Sequence, residues 1–465
     1  MSDSSFQVPF PAVTCSLHML REIPYTSRQL LLTGMRRKLL LIGTFFAGQS
    51  ATQLLSLIFG LVIVRLLTVE AYAQFSLAMG FQTTLGSLMD LGYAGTIIPL
   101  VGERFADPKV VGSYVAAAKH HRDRIFFLFS PVAAISFWLL GRKHHWSSNV
   151  QLLLLVSIVV QLYFSGRTSY YSAPLMLRRD LRKLYRPQVF SALLRCVAPL
   201  PMRAIGALNG WSAALLNASA QVYNSIKLQH ASVPYSSEPL QSDPLVNREM
   251  MRYVVPAMPA VVFWAFQSQI SLYLVTLFGK TSNMAQVAAL GRLGQIFAIL
   301  MAFNVVLVEP YFARLALGSL PLRYLQVVGL AGLFCLTIAL LSFRFPHPLL
   351  WLLGPQYRDL GPEVGWMVTA SSIFYLAGVI WIINRSRKWL FWSGTAMEIG
   401  LTVVAEAAFA FTRGVSTTHD AILISVVAAI SVLIAHSFVS VYGFMRGPRK
   451  VENPISVIRE PFELP

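Results

Sequence analysis

The chain has 465 residues, of which 55% are hydrophobic and only 12% charged, about half the charged share of soluble domains. With a mean hydropathy of +0.58 and apolar runs of about 20 residues, the length that crosses bilayer hydrocarbon, it cannot be a water-soluble protein, and no extramembrane enzyme domain fits beside the spans. The net charge of +18 would suggest nucleic acid in a soluble chain, but here the Lys/Arg residues gather between spans and nucleic acid is excluded as a partner.

In chain order the apolar runs predict an all-α integral membrane protein of about twelve helices, at 39–65, 71–101, 125–141, 149–166, 188–209, 211–228, 253–278, 283–312, 324–343, 362–384, 389–412 and 418–444. The fifth and sixth are the least apolar, since they carry Arg195, Arg203, Asn217, Gln221 and Asn224. Of the 38 Lys/Arg residues, 28 fall on the side shared by both tails and 7 on the other, with Arg195, Arg203 and Arg292 inside spans. That bias puts both termini in the cytoplasm. The tails are then 1–38 and 445–465. The first 34 residues lack a signal-peptide pattern, and Met35-Arg36-Arg37-Lys38 before an apolar run suggests translation from Met35, with 1–34 untranslated or disordered.

A faint six-plus-six repeat follows. Ala73-Gln74-Phe75-Ser76-Leu77-Ala78 returns as Ala285-Gln286-Val287-Ala288-Ala289-Leu290, and Gln49-Ser50 before Phe59-Gly60 returns as Gln267-Ser268 before Phe278-Gly279. Even spans per half, both starting inside, make the repeat parallel. The halves are 39–228 and 253–444, joined by a polar cytoplasmic linker at 229–252.

Three stretches carry a resemblance. Val64-Arg65-Leu66-Leu67-Thr68-Val69-Glu70-Ala71-Tyr72 runs on to Leu88-Met89-Asp90-Leu91-Gly92-Tyr93. Arg252-Tyr253 with Pro256, Pro259 and Trp264 leads to Glu309-Pro310-Tyr311-Phe312-Ala313-Arg314. Leu352-Leu353-Gly354-Pro355-Gln356-Tyr357 precedes the tenth span. In this order, over about 400 residues, they resemble the polysaccharide and O-antigen flippase family, within the superfamily that also holds multidrug (MATE) exporters and lipid II flippases. Thr68 and Ala73 replace glycines of that pattern, and Ser268-Gln269 replaces an Asp-Arg pair, so no ion-coupling role carries over to that span. The resemblance implies two six-helix lobes around a central cavity, opening alternately to each side of a bacterial inner membrane. Its implied cargo is a polyprenyl-pyrophosphate-linked glycan (an O-antigen, capsule or exopolysaccharide unit) moved to the periplasmic leaflet. Membrane lipids, a polysaccharide polymerase and a chain-length regulator are the implied partners.

Such a cargo needs a wet, cationic hollow for its head and a lateral opening for its tail. Arg suits pyrophosphate because its planar fork donates two charge-assisted bonds, and an ionised side chain at mid-membrane costs about 2.5–3.5 kcal/mol unless it lines a cavity or has a partner. Arg195 and Arg203, eight residues apart and so on one broad helix face, either touch the pyrophosphate or pair with acids; Arg292 is a third candidate. Gln49, Gln53, Gln267 and Gln269 form a second cavity set across the halves. Asn217 and Gln221, with Trp211, Tyr223 and Asn224, either bind sugars or join helices. For coupling or gating the candidates are Asp90, in its Asp-Leu-Gly turn, Glu309, Glu398 and Glu406; Glu398 and Glu406 could instead neutralise the arginines.

No metal or cofactor is expected. Cys15, Cys196 and Cys335 have no paired spacing, His120-His121 and His144-His145 lack completing ligands, and there is no Walker-type loop. The alternatives are a MATE-type multidrug or cation antiporter, whose pocket should be acidic and aromatic, and a polysaccharide polymerase or ligase, which would need a longer periplasmic loop than 344–361.

Overall fold

The structure is a computed structural model that describes residues 25–237 and 243–446, with side chains from Gly43. Of the predicted tails at 1–38 and 445–465, residues 1–24 and 447–465 lie outside the described residues, while 25–34, expected to be untranslated or disordered, are helical. No strand occurs among the described residues.

Seventeen α-helices occur among the described residues. In the first half they are α1 (Tyr25–Leu66), α2 (Val69–Asp90), α3 (Tyr93–Val101), α4 (Pro108–Lys143), α5 (Ser148–Leu177), α6 (Leu181–Val197), α7 (Pro199–Ala204) and α8 (Gly210–Ser232). In the second they are α9 (Pro244–Val254), α10 (Met258–Gln267), α11 (Ile270–Phe278), α12 (Thr281–Arg314), α13 (Leu320–Arg344), α14 (Pro346–Leu353), α15 (Gly361–Ser386), α16 (Trp392–Arg413) and α17 (Thr418–Arg446). Eight helices are long and apolar enough to span a membrane, and two bent pairs raise the number to ten. The segments that fall short are α6 with α7, and α8, the two spans whose Arg and amide side chains weaken their hydropathy. Both are helical and packed on α5 and α1 all the same. Large apolar side chains face outward, Phe411 being 91% exposed and Phe127 70%, which in a helical bundle of this composition is the surface met by lipid.

Local chemistry explains the breaks. Between α2 and α3 the chain passes through Leu91 (φ 43°) and Gly92 (φ 87°), two left-handed residues that end one helix and start another at 40°; glycine takes this conformation without steric cost. The Asp-Leu-Gly turn read from the sequence is therefore a real break. Pro256 and Pro259 interrupt the start of the seventh span, and α10 and α11 then meet at 51° across Ser268-Gln269. Pro199 separates α6 from α7, because proline donates no backbone bond and crowds the preceding turn. At the α5–α6 turn Asp180 caps α6 through the Lys183 N–H and accepts from Tyr235 Oη at 2.9 Å. Partial burial raises its carboxyl pKa, but the bonds from Lys183 and Tyr235 outweigh that and hold it below the usual carboxylate range. The cap therefore contributes stability at neutral pH that is lost as pH falls through that depressed value.

Two lobes result, the first built of α1–α8 and the second of α10–α17. α1 begins and α17 finishes at the same end of the bundle, the base; the opposite end is the crown. The echoing segments at 73–78 and 285–290 lie on α2 and α12, which face each other across the lobe boundary, with Tyr72 Oη donating to the Ala288 carbonyl at 3.4 Å. The linker is not wholly irregular. α9 buries Met250 and Val254 against α3 and α4 of the first lobe, and Glu249 accepts from Tyr114 Oη at 2.5 Å.

Apart from α9, the hydrogen bonds between the lobes gather at the crown and at mid-depth. At the crown, Gln356 Nε2 donates to the Val64 carbonyl at 2.6 Å, Arg65 lies 4.7 Å over the Trp351 ring, and Lys143 bonds the Leu277 carbonyl. His144 spans to Thr276 O at 2.9 Å and Thr281 Oγ1 at 3.1 Å, both satisfied by a neutral ring that carries its hydrogen on Nε2. At mid-depth Thr84 donates to the Ala265 carbonyl and accepts from Tyr273 Oη. Removing two crown ties together, His144→Ala with Gln356→Ala, is expected to loosen this end. A cysteine placed at Ser76, which is buried behind the crown, should then react with a membrane-impermeant maleimide at least several-fold faster than in the otherwise unchanged protein. Equal reactivity would show that these contacts do not close the crown.

Candidate functional site: a cavity between the lobes

α2 on one side and α10, α11, α12, α15 and α17 on the other enclose a cavity of about 580 Å³, within the range of about 300–1,000 Å³ typical of small-molecule sites. Of the residues singled out in the sequence it collects Gln267, Gln269 and Arg292, with Ser76 and Thr83 across from them and Trp264 and Phe374 as aromatic walls. α12 buries Leu293 and Phe297 in the core, which turns Arg292 toward the lobe boundary. There its Nε donates to Tyr72 Oη at 3.2 Å. Gly60 of α1 passes close by: a Cβ there would come within 3.1 Å of Arg292 Cδ. Among the described residues no carboxylate pairs with Arg292. Arg292 thus lines the hollow with no acidic partner among those residues, an arrangement able to take an anion by a two-donor fork.

Behind the cavity lies a buried acidic stripe. Glu398, Thr402 and Glu406 are the buried residues of α16, spaced by four and so stacked on one face. Glu406 Oε1 accepts from Gln267 Nε2 at 2.6 Å. Glu398 is bonded by the Trp264 indole and stands 3.6 Å from His436 Nε2. The two carboxylates therefore meet Gln267, Trp264 and His436 of their own lobe, and neither neutralises Arg195 or Arg203. Because Trp264 and Gln267 also line the cavity, each acid is one side chain removed from it.

The remaining candidates are dispersed. Arg195 is enclosed in the first lobe, where Nη1 donates to Asn217 Oδ1 at 3.0 Å and the guanidinium lies 5.8 Å over Phe59. Asn217 Nδ2 in turn reaches the sulfur of Met79, a cavity-wall residue. Arg203 stands exposed in α7 at the crown. Their surroundings differ, Arg195 being enclosed and Arg203 exposed, although Ala198 between α6 and α7 keeps right-handed helical dihedrals. Gln221 Nε2 donates to Thr168 Oγ1 at 2.9 Å and so ties α8 to α5. Gln53 is half-buried, its amide oxygen enclosed without a partner. Glu309, at the base, forms a two-pronged ion pair with Arg385, Nε to Oε1 at 3.0 Å.

Gln49 lines a second hollow of about 420 Å³ between α1, α6 and α12, beside Phe45, Phe46, Tyr185 and Phe303. Tyr185 Oη donates to Gln49 Oε1 at 3.4 Å, and Phe46 stacks on Phe303 across the lobe boundary. It is a mostly apolar opening between α1 and α12.

Asp90 lines a third hollow and is partnered by Arg122 at 3.7 Å. The predicted spans 71–101 and 125–141 leave Arg122 in the loop between them, whereas α4 begins at Pro108 and carries it into the lobe, 5% exposed. The signal was present: Asp107-Pro108 is a helix start, with the Asp107 side chain accepting from the Lys109 N–H and proline at the first helical position. Tyr72, Trp264, Thr402 and His436 were also missed as polar partners, since lone aromatic or hydroxyl side chains in apolar runs carry no distinguishing pattern. Among the described residues no group of three His, Cys, Asp or Glu could hold a metal ion.

No protein-family profile and no curated protein matches the chain. Solved structures do. An inward-facing multidrug resistance MATE family transporter of the MOP superfamily superposes with a TM-score of 0.62 at 14% identity, over 85% of this chain and 94% of that one. The lipid II flippase MurJ, in an inward closed conformation, gives 0.59 at 12% identity over 88% and 89%. An outward-facing MATE family transporter gives 0.55 at 14% identity over 87% and 93%. The chain therefore has the two-lobe fold of these membrane transporters.

Proposed function

We propose that this protein moves a polyprenyl-pyrophosphate-linked oligosaccharide from the cytoplasmic to the periplasmic leaflet of a bacterial inner membrane by alternating access. The observation that carries the reading is Arg292, a guanidinium without an acidic partner among the described residues, facing the cavity between the lobes. An organic-cation pocket has no use for it; a pyrophosphate head does. The apolar opening between α1 and α12 gives a prenyl tail a place about three helical turns from that head toward the base. The Lys/Arg bias makes the base cytoplasmic, so the closed crown corresponds to a cytoplasm-facing state. Glu398 and Glu406 are the groups through which ion movement would couple to the lobes, since Trp264 and Gln267 link them to the cavity wall.

One observation favours a second reading, a MATE-type cation antiporter: those same buried acids stand behind the aromatic walls Trp264 and Phe374. Depleting the protein in cells separates the two. Lipid-linked glycan should accumulate on the cytoplasmic leaflet, and sensitivity to lipophilic cations should be unchanged. Cation sensitivity with normal glycan delivery would replace the first reading by the second.

A further inference from the structure

The hollow beside Asp90 is built differently from the central cavity. It measures about 380 Å³ and opens between α2, α4 and α5, sharing Met79 and Thr83 with the central cavity as a common wall. Its other lining is almost wholly polar: Gln82, Asp90, Arg122, Gln161, Ser165 and Ser169. Arg122 is held by the Leu162 carbonyl at 3.0 Å, Ser165 Oγ at 3.4 Å and Asp90 at 3.7 Å. Gln82 is 6% exposed; its amide nitrogen donates to the Ser157 carbonyl, while its amide oxygen has no partner. The amide oxygen of Gln161 is also enclosed without one. Buried polar atoms are ordinarily satisfied; both oxygens are closed off as the side chains stand and meet a donor when those side chains, which line the hollow, turn into it.

The charges narrow the class of donor. A cation drawn to Asp90 meets Arg122 beside it, and an anion drawn to Arg122 meets Asp90. A neutral polyol is repelled by neither. Its hydroxyls each donate one hydrogen and accept others, so adjacent hydroxyls can give to Asp90 and the glutamine oxygens while taking from Arg122 and the serines.

We infer that this hollow is a sugar subsite in the first lobe, receiving a monosaccharide of the glycan while the carrier's pyrophosphate sits at Arg292 in the adjoining cavity. The inference rests on the flippase reading. It adds that glycosylation of the carrier is recognised, and by residues of α2, α4 and α5 alone.

The test measures binding to the purified full-length protein in lipid nanodiscs. The probes are bare polyprenyl pyrophosphate and the same lipid carrying one hexose, one N-acetylhexosamine or one deoxyhexose. At least one glycosylated probe should bind about tenfold more tightly than the bare lipid, the worth of two or so net hydrogen bonds. In the double variant Gln161→Leu with Ser169→Ala that ratio should fall toward one, with bare-lipid affinity within about twofold of the parent. Bare lipid bound equally well as every glycosylated probe overturns the subsite and leaves the flippase reading standing, and that comparison needs no variant. A preference that survives the double substitution also overturns it. Failure to bind any of the lipids defeats the flippase reading, and the subsite with it.

Discussion

Gly166→Ala is expected to destabilise the purified protein by about 1–3 kcal/mol, the usual cost of overpacking a closed interior, although the change adds one methyl group and improves helix propensity. A Cβ on Gly166 would overlap the Nε and Cδ atoms of Arg122. The guanidinium cannot simply swing aside, because it is 5% exposed and held at Leu162, Ser165 and Asp90. Moving it leaves Asp90 without its partner in a polar hollow, and removing one member of such a buried pair costs far more than the pair's net worth. The matching control is Gly86→Ala, on α2 near the same hollow, where a Cβ would meet nothing within 4 Å; that change should be neutral or slightly stabilising. Thermal unfolding in detergent checks both. A Gly166→Ala protein as stable as the parent would mean that Arg122 does not occupy the space beside α5.

Arg292→Ala is expected to have the largest effect on function. The side chain lies outside the buried core: it bonds Tyr72, passes beside Gly60 and lines the cavity. Tyr72 is fully buried and keeps its bond to the Ala288 carbonyl when Arg292 is truncated, so the fold should survive. What is lost is the net worth of one charge-assisted hydrogen bond, about 1.5–3 kcal/mol, which amounts to about ten- to hundredfold in affinity for a phosphate head. Lysine in its place restores charge without the planar fork, and should recover only part of the difference.

The spans were legible because hydropathy and Lys/Arg placement report directly on lipid and water contact, and even the weak pair at α6–α8 falls where the apolar remnants put it. The breaks were partly legible: Asp90-Leu91-Gly92 and the prolines near 256 show why a helix must stop, since glycine and proline act through the backbone alone. The site was less so. Gln267, Gln269 and Arg292 come together as side chains on adjacent spans, whereas Arg195 is enclosed beside Asn217 and Arg203 stands exposed, a difference in neighbours that spacing along the chain does not encode. Arg122 was hidden by the same charge that made it useful for topology; a guanidinium in a Lys/Arg-rich stretch reads as surface until its neighbour Gly166, distant in sequence, shows where it goes. Glu398 and Glu406 were recognised as unusual, yet their partners Trp264, Gln267 and His436 depend on how α10, α16 and α17 meet, which no local pattern encodes.

The central claim is that the Arg292 guanidinium between the lobes meets the phosphates of a lipid carrier in transit. Vesicles reconstituted with the purified protein and a fluorescent polyprenyl-pyrophosphate-linked sugar, with an impermeant quencher outside, test it directly. The account predicts transfer between leaflets that is fast with the parent protein, slowed about ten- to hundredfold by Arg292→Ala, and partly restored by Arg292→Lys. Equal transfer by the parent and the alanine variant, or no transfer at all by a parent protein that instead moves a lipophilic cation, would contradict it.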